Sequence, residues 1–209
     1  MAAAPPLPGP EALGEMLMPA ARYHRLRRQL QAQLSPPRMA HSLGVMITAR
    51  AMAPTMGADP AAAELAGLVH DVAKELPAAE LARLARAAGI TYSHPFERHP
   101  VYLHATVGAH LAEAWLGVRE PAVLDAIAAH SQGGPDPRLS APLVWCLRLA
   151  DLTELHRRYG AANAIRWAWA HRGWRPAAHL ACTNLVRYLR QENIPCHPNV
   201  LQVIQELGE

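Results

Sequence analysis

Proline and glycine fall in this chain where helices begin and end, and that placement restricts the fold more than any other feature. Proline suits a first helical position because the N–H it lacks would have no intrahelical partner there, and glycine accepts the left-handed backbone just past a helix end. Asp59-Pro60 opens one segment, with Asp59 as its N-cap. Pro77 to Ala88 is closed by Gly89, Pro100 to Leu116 by Gly117, and Pro121 opens a segment that runs to about His130. Apolar residues recur within them near i, i+3 and i+4, as in Leu81, Leu84 and Ala85. "SAPLVWCLRLADLTELHRRYG" can cap at Ser140 and run through Asp151 to a stop at Gly160; two more helical stretches follow, and Pro198 starts a short last one. Period-2 alternation is not sustained anywhere, and no repeat recurs at a fixed period. The expectation is an all-α domain of about eight or nine helices. Its connections "SQGGPDPRLS" and "ITYSHPFERH" are long and polar enough to border a site.

A chain of 209 residues with 51% hydrophobic content can fill one large core. Residues 1–20, rich in Pro and Ala, read as a flexible leader to a single domain over 21–209. Pro5, Pro6, Pro8 and Pro10 would interrupt an inserted helix, and no stretch elsewhere reaches the roughly 20 apolar residues that span a bilayer. A net charge of +3 permits an anionic partner, but the arginines are scattered, which argues against specific nucleic-acid binding. The one tight basic cluster, "RYHRLRRQL", is either a solvated helix face or a phosphate contact. Cys146, Cys182 and Cys196 are odd in number, widely spaced and without a CxxC, the pattern of reduced thiols in a cytoplasmic protein.

The chemistry gathers around "GLVHDVAKELP". It holds Lys74, the only lysine beside 19 arginines. His70 and Asp71 end the apolar run "AELAGLVHD", and an ionised Asp that goes underground with such a run needs a metal or a cation to offset its desolvation. The alternative is that Asp71 faces water at the helix end. His41 in "RMAHSLGV", His104 in "VYLHATVGAH", His130 in "LDAIAAH" and Asp151 in "LRLADLTE" pose the same question, since most of them also adjoin apolar segments.

Their order, H…HD…D, resembles the HD phosphohydrolase superfamily, helical domains that bind divalent metal and hydrolyse phosphate esters or anhydrides. More closely, the chain is similar to the bacterial symmetrical diadenosine-tetraphosphate hydrolases, the YqeK family. "RMAHSLGVMITARAMA" matches the opening R-x-x-H helix, "AELAGLVHDVAKELP" the HD motif with its Ala-Lys, and "LHATVGAHLA" the H-A-x-x-G-A segment. "DAIAAHSQG" and "LRLADLTELHR" match A-I-x-x-H-T-x-G and A-D-x-x-E-P-x-R, with Ser131 in place of Thr and Leu155 in place of Pro. The closing "ENIPCHPNVLQV" is similar to that family's isoleucine-proline element.

The resemblance implies an HD-domain helical bundle with two divalent metal ions. His41, His70, Asp71 and Asp151 would hold one; Asp71 would bridge to the second, completed by His104 and His130. Iron is the metal the resemblance favours, and the imidazole and carboxylate donors also suit Mn, Co or Zn. The implied reaction splits diadenosine tetraphosphate into two ADP, with a hydroxide bridging the metals as nucleophile. Asp71 and Lys74 would be catalytic, Lys74 as a compact charge on phosphate oxygens. Arg157 would touch the polyphosphate or pair with Glu154. His99, just before Pro100, either lines the substrate cleft or belongs to the loop surface. Glu75 and Arg38 read as supporting residues. A homodimer is a further implication. The same residues would also serve a nucleotidase or deoxynucleotide phosphohydrolase, or a nucleotide-sensing domain without turnover.

Overall fold

A computed structural model describes residues 16–92, 94–131, 142–197 and 199–208. Among them it contains ten α-helices, one 3₁₀ turn and no strand. In chain order the helices are α1 (Ala20–Gln31), α2 (Pro36–Met56), α3 (Pro60–Val69), α4 (Ala78–Ala87), α5 (Pro100–Ala114), α6 (Pro121–Ala129), α7 (Pro142–Thr153), α8 (Gly160–Arg172), α9 (Trp174–Gln191) and α10 (Asn199–Gly208); the turn is Pro95–Arg98. The all-α class is as expected, with one or two more helices than expected.

The punctuation works through the chemistry that the sequence suggests. Asp59 accepts the Ala61 and Ala62 N–H groups at 3.1 and 3.2 Å and so satisfies two orphan donors of α3. Gly89 and Gly117 take positive φ, +65° and +71°, where a Cβ would be strained. One expectation fails. Gly160 does not stop α7; that helix ends at Thr153, and Gly160 opens α8 after a turn. Ser140 and most of the "SQGGPDPRLS" connection lie outside the described residues, as does Pro198.

α2 is the centre of the bundle. It is covered by α3 and α7, and α6 packs on both of those. Consequently α2 buries residues on most of its faces, among them Val45, Met46, Ala49 and Met52. α3 crosses α2 so closely that a Cβ built on Gly67 would stand 2.7 Å from Met46 Cα. A smaller core of Ala73, Leu81, Ala85, Leu103 and Val107 seals the turn after α3 and helix α4 against α5. α8 and α9 pair with each other and lie against α7.

The arginines of "RYHRLRRQL" include structural ones. Arg22 pairs with Glu120 at 2.6 Å, and Arg25 donates to the Leu116 carbonyl at 2.8 Å, so α1 is fixed to the corner between α5 and α6. Part of the expected leader also belongs to the folded body: the Met18 N–H donates to the buried Glu64 carboxylate at 2.9 Å, and Leu17 N–H reaches the same group. Residues 1–15 lie outside the described residues. No described helix is long and apolar enough to cross a membrane.

Candidate metal centre

Five helices converge on one buried point. His41 comes from the second turn of α2, His70 and His130 are the C-caps of α3 and α6, His104 lies in α5, and Asp151 lies near the end of α7. Asp71 follows His70 into a tight turn in which the Lys74 N–H returns to the Asp71 carbonyl at 2.9 Å. All four imidazoles are buried.

Each ring is anchored through Nδ1. His70 donates to Gly67 O at 2.9 Å, His104 to Pro100 O at 2.9 Å and His130 to Ile127 O at 2.7 Å. His41 Nδ1 meets the Glu154 carboxylate at 3.1 Å. A carbonyl can only accept, so Nδ1 carries the proton in three of these rings, and in their neutral form Nε2 is a bare lone pair. The bare nitrogens of His104 and His130 face each other at 3.2 Å. Two lone pairs at that distance need a cation between or beside them, and the Lys74 ammonium, 3.1 Å from His104 Nε2, reaches only the first of the two. His70 Nε2 and Asp71 Oδ1 make the same demand, for both are buried without a hydrogen-bond partner. The residues therefore fit a metal.

Asp71 divides the cluster. Its Oδ2 lies 3.7 Å from His41 Nε2 and 3.5 Å from His70 Nε2, and its Oδ1 lies 3.6 Å from His104 Nε2 and 3.7 Å from His130 Nε2. Asp151 Oδ1 joins the first group, 3.0 Å from His41 Nε2 and 3.9 Å from His70 Nε2. One carboxylate thus presents one oxygen to each of two nitrogen pairs.

The charges suit ligation. Burial pushes the His70 imidazole down to about 4, partly opposed by Asp71, and pushes His104 down to about 3 with help from the Lys74 ammonium. Both are neutral at physiological pH, as metal ligands must be. Burial opposes ionisation of Asp71, yet the surrounding imidazoles and Lys74 hold its carboxyl well below the usual carboxylate range. Asp151 behaves likewise, through the hydrogen bond from His41 and the nearby His70 and Arg157. His41 is the exception: burial would lower its pKa, but hydrogen bonds to Asp151 and Glu154 outweigh that and raise it.

Each supporting residue has a definite partner. Arg157 sends its guanidinium to Asp151 rather than to Glu154, donating to Oδ1 at 2.8 Å and to the Asp151 carbonyl at 2.9 Å. Arg38 touches the centre directly, donating to Asp71 Oδ2 at 2.8 Å. His99 is exposed, caps α5 by accepting the Val101 N–H at 3.2 Å, and is not among the residues lining the cavity described below. Glu75 instead holds the start of α2, accepting from the Ser35 hydroxyl at 2.6 Å.

Glu154 is the residue whose role sequence reasoning missed. It is buried, accepts the His156 N–H at 2.7 Å through Oε2, and turns Oε1 to His41. Arg166 fixes the turn that carries it, donating to the carbonyls of Thr153, Glu154 and Arg157 at 2.9, 2.7 and 2.7 Å. Room for that carboxylate exists because position 44 is glycine: a Cβ there would stand 2.2 Å from Glu154 Oε2. Gly44→Ala should displace Glu154, free the His41 ring and weaken metal binding by about 10- to 100-fold, as loss of a ligand's supporting partner does. Metal titration of the two proteins by calorimetry checks this.

Beside the centre opens a cavity of about 440 Å³. Lys74, His104, His130 and Asp151 form its polar floor, while Leu152, Ile165 and Leu185 supply an apolar wall. Tyr159 and Tyr188 stand along it, both substantially exposed. Arg148 also lines it, buried, with its guanidinium 5.2 Å from the Trp145 ring centroid. An arginine inside the apolar run "LVWCLRLAD", three residues before Asp151, is the signal by which it can be found in the sequence. Cys146 in that run is a core residue whose thiol burial pushes up to about 12.

Comparison with known proteins identifies the family. The HD domain family model matches residues 38–156, which contain all six candidate ligands. A Bacillus subtilis protein named "Bis(5'-nucleosyl)-tetraphosphatase, symmetrical" is 31% identical over 81% of this chain and 89% of its own length. A protein of the same name from Halalkalibacterium halodurans is 30% identical over 85% of this chain and 92% of its own length. The crystal structure of a predicted HD superfamily hydrolase involved in NAD metabolism, from Clostridium acetobutylicum, superposes with a TM-score of 0.79 at 28% identity, covering 88% of this chain and 96% of that one. The chain belongs to the HD domain family and is a hydrolase.

Proposed function

We propose that the protein hydrolyses diadenosine tetraphosphate symmetrically, to two ADP, at a centre that holds two divalent metal ions. The observation that carries this reading is the Asp71 carboxylate, whose two oxygens face two separate pairs of imidazole Nε2 atoms. His41, His70 and Asp151 would hold one ion with Oδ2, and His104 and His130 the other with Oδ1. Iron is the ion the family resemblance favours, and the all-N/O donor set suits it. Metal ions so held activate a water and neutralise charge building on the phosphate.

The chain's own residues do the rest. Arg157 and Arg38 hold the oxygens of Asp151 and Asp71 in place from outside the cluster. Lys74 Nζ lies 3.1 Å from His104 Nε2 and faces the cavity; with the lone pair of that nitrogen given to a metal ion, the N–H groups of the ammonium are left to take a phosphate oxygen. Arg148 and Arg187 add further positive charge to the cavity wall. The apolar wall with Tyr159 and Tyr188 suits an adenosine, a planar base on a polar sugar.

Lys74→Ala should keep its full metal content and lose about 10²-fold in turnover, as removal of one charge-stabilising donor does. Lys74→Arg should recover only part of that loss, because a planar guanidinium does not fit where a compact ammonium sits. Steady-state kinetics with metal analysis on both variants decides it, and undiminished turnover in Lys74→Arg would exclude a specific need for lysine. For the function itself, metal-loaded protein is incubated with diadenosine tetraphosphate and the products are separated by chromatography. ADP alone is expected; AMP with ATP would exclude symmetrical cleavage, and no products would indicate a binding domain.

A further inference from the structure

A second cluster of metal donors lies outside the Asp71 centre and shares no residue with it. His94 precedes the 3₁₀ turn before α5 as its N-cap, Glu97 lies in that turn, and His197 belongs to the link between α9 and α10, yet each offers a ligand atom within 4.8 Å of the others. Glu97 and His197 are largely enclosed, with side chains only 12% and 13% exposed. Their facing atoms, Glu97 Oε1 and His197 Nε2, are 3.7 Å apart, beyond hydrogen-bond length and within the separation that two ligands of one ion share. The rings of His94 and His197 meet edge to face at 5.0 Å, and Phe96 stacks on His94 at 5.1 Å, which fixes the direction of that imidazole. Glu97 is fixed as well, because Oε1 accepts the His94 N–H at 3.2 Å.

We propose that His94, Glu97 and His197 form a third metal site, selective for a divalent ion of the zinc class. Two imidazoles and one carboxylate are a donor set that such an ion takes, with its remaining coordination left to water. The ion would tie the C-terminal link to the turn that leads into α5. The Tyr102 hydroxyl already makes a bond of the same sense, donating to the Pro195 carbonyl at 2.8 Å from within α5.

The test uses full-length protein stripped of metal with a chelator, reloaded with excess zinc, desalted and analysed for zinc per chain. Wild type is compared with His94→Ala/His197→Ala and with Glu97→Gln. The readout is the difference between proteins, so it does not depend on how many ions the Asp71 centre holds. Wild type should carry one zinc per chain more than the double variant. Glu97→Gln keeps an oxygen to accept the His94 N–H and so preserves the turn, but should bind that ion at least about ten-fold more weakly. The rise in unfolding temperature on adding zinc should be smaller in both variants than in wild type. Equal zinc content and equal thermal shifts in the three proteins would overturn the proposal, as would unchanged zinc affinity in a folded Glu97→Gln.

Discussion

Asp71→Asn should reduce hydrolysis by about 10³-fold or more while leaving the fold intact. The substitution keeps the shape of the side chain and replaces one carboxylate oxygen with a donor that no metal accepts. Losing a partner of a single ligand already costs about 10- to 100-fold, and Asp71 faces both halves of the cluster, one oxygen to each. The loss should also appear in a measurement that needs no turnover. Metal bound to the native state stabilises it by about 2.7 kcal/mol at a concentration a hundred times the dissociation constant. Wild type should therefore unfold at a higher temperature when manganese is added, and Asp71→Asn should show little of that shift. A variant that keeps both its activity and its metal-induced stabilisation would mean that Asp71 does not bridge.

The second large effect is expected in stability. Gly67 lies where α3 crosses α2, and a Cβ there would stand 2.7 Å from Met46 Cα and 2.8 Å from Met46 N. These are backbone atoms in the middle of a buried helix, so they cannot swing aside as a side-chain end would. Gly67→Ala should destabilise the protein by about 2–4 kcal/mol, the upper range for overpacking a core. It should also reach the site. Gly67 O accepts from His70 Nδ1, and α2 carries His41, so separating the two helices moves two candidate ligands apart. Chemical denaturation gives the first number and metal titration the second. At Gly57, by contrast, a Cβ would meet nothing within 4 Å; alanine there is opposed only by its positive φ.

The comparison of these two glycines marks the limit of what the sequence discloses. Local signals are legible because their physics is local: Asp59-Pro60 caps a helix whatever else surrounds it, and Gly89 and Gly117 take the backbone that follows a helix end. The six candidate ligands are legible for another reason. Polar groups that adjoin apolar runs demand partners, but it is the order H…HD…D, shared with a known family, that singles these six out. The rest depends on the third dimension. That Gly44 makes room for Glu154 rests on a contact across 110 residues of chain, and nothing near Gly44 announces it. The cavity lining contributed by α9, including Leu185 and Tyr188, follows from how α8 and α9 pack on α7, after the last ligand in the sequence. Arg157 shows the same limit on a smaller scale. Spacing put it near both Glu154 and Asp151, and only the geometry of the turn after α7 aims it at Asp151.

The central claim is that one carboxylate, Asp71, joins two metal ions. Anomalous diffraction from crystals soaked in manganese tests it most directly. Two peaks should flank Asp71, one in contact with His41, His70 and Asp151 and the other with His104 and His130. A single peak, or two peaks of which only one touches Asp71, would contradict it.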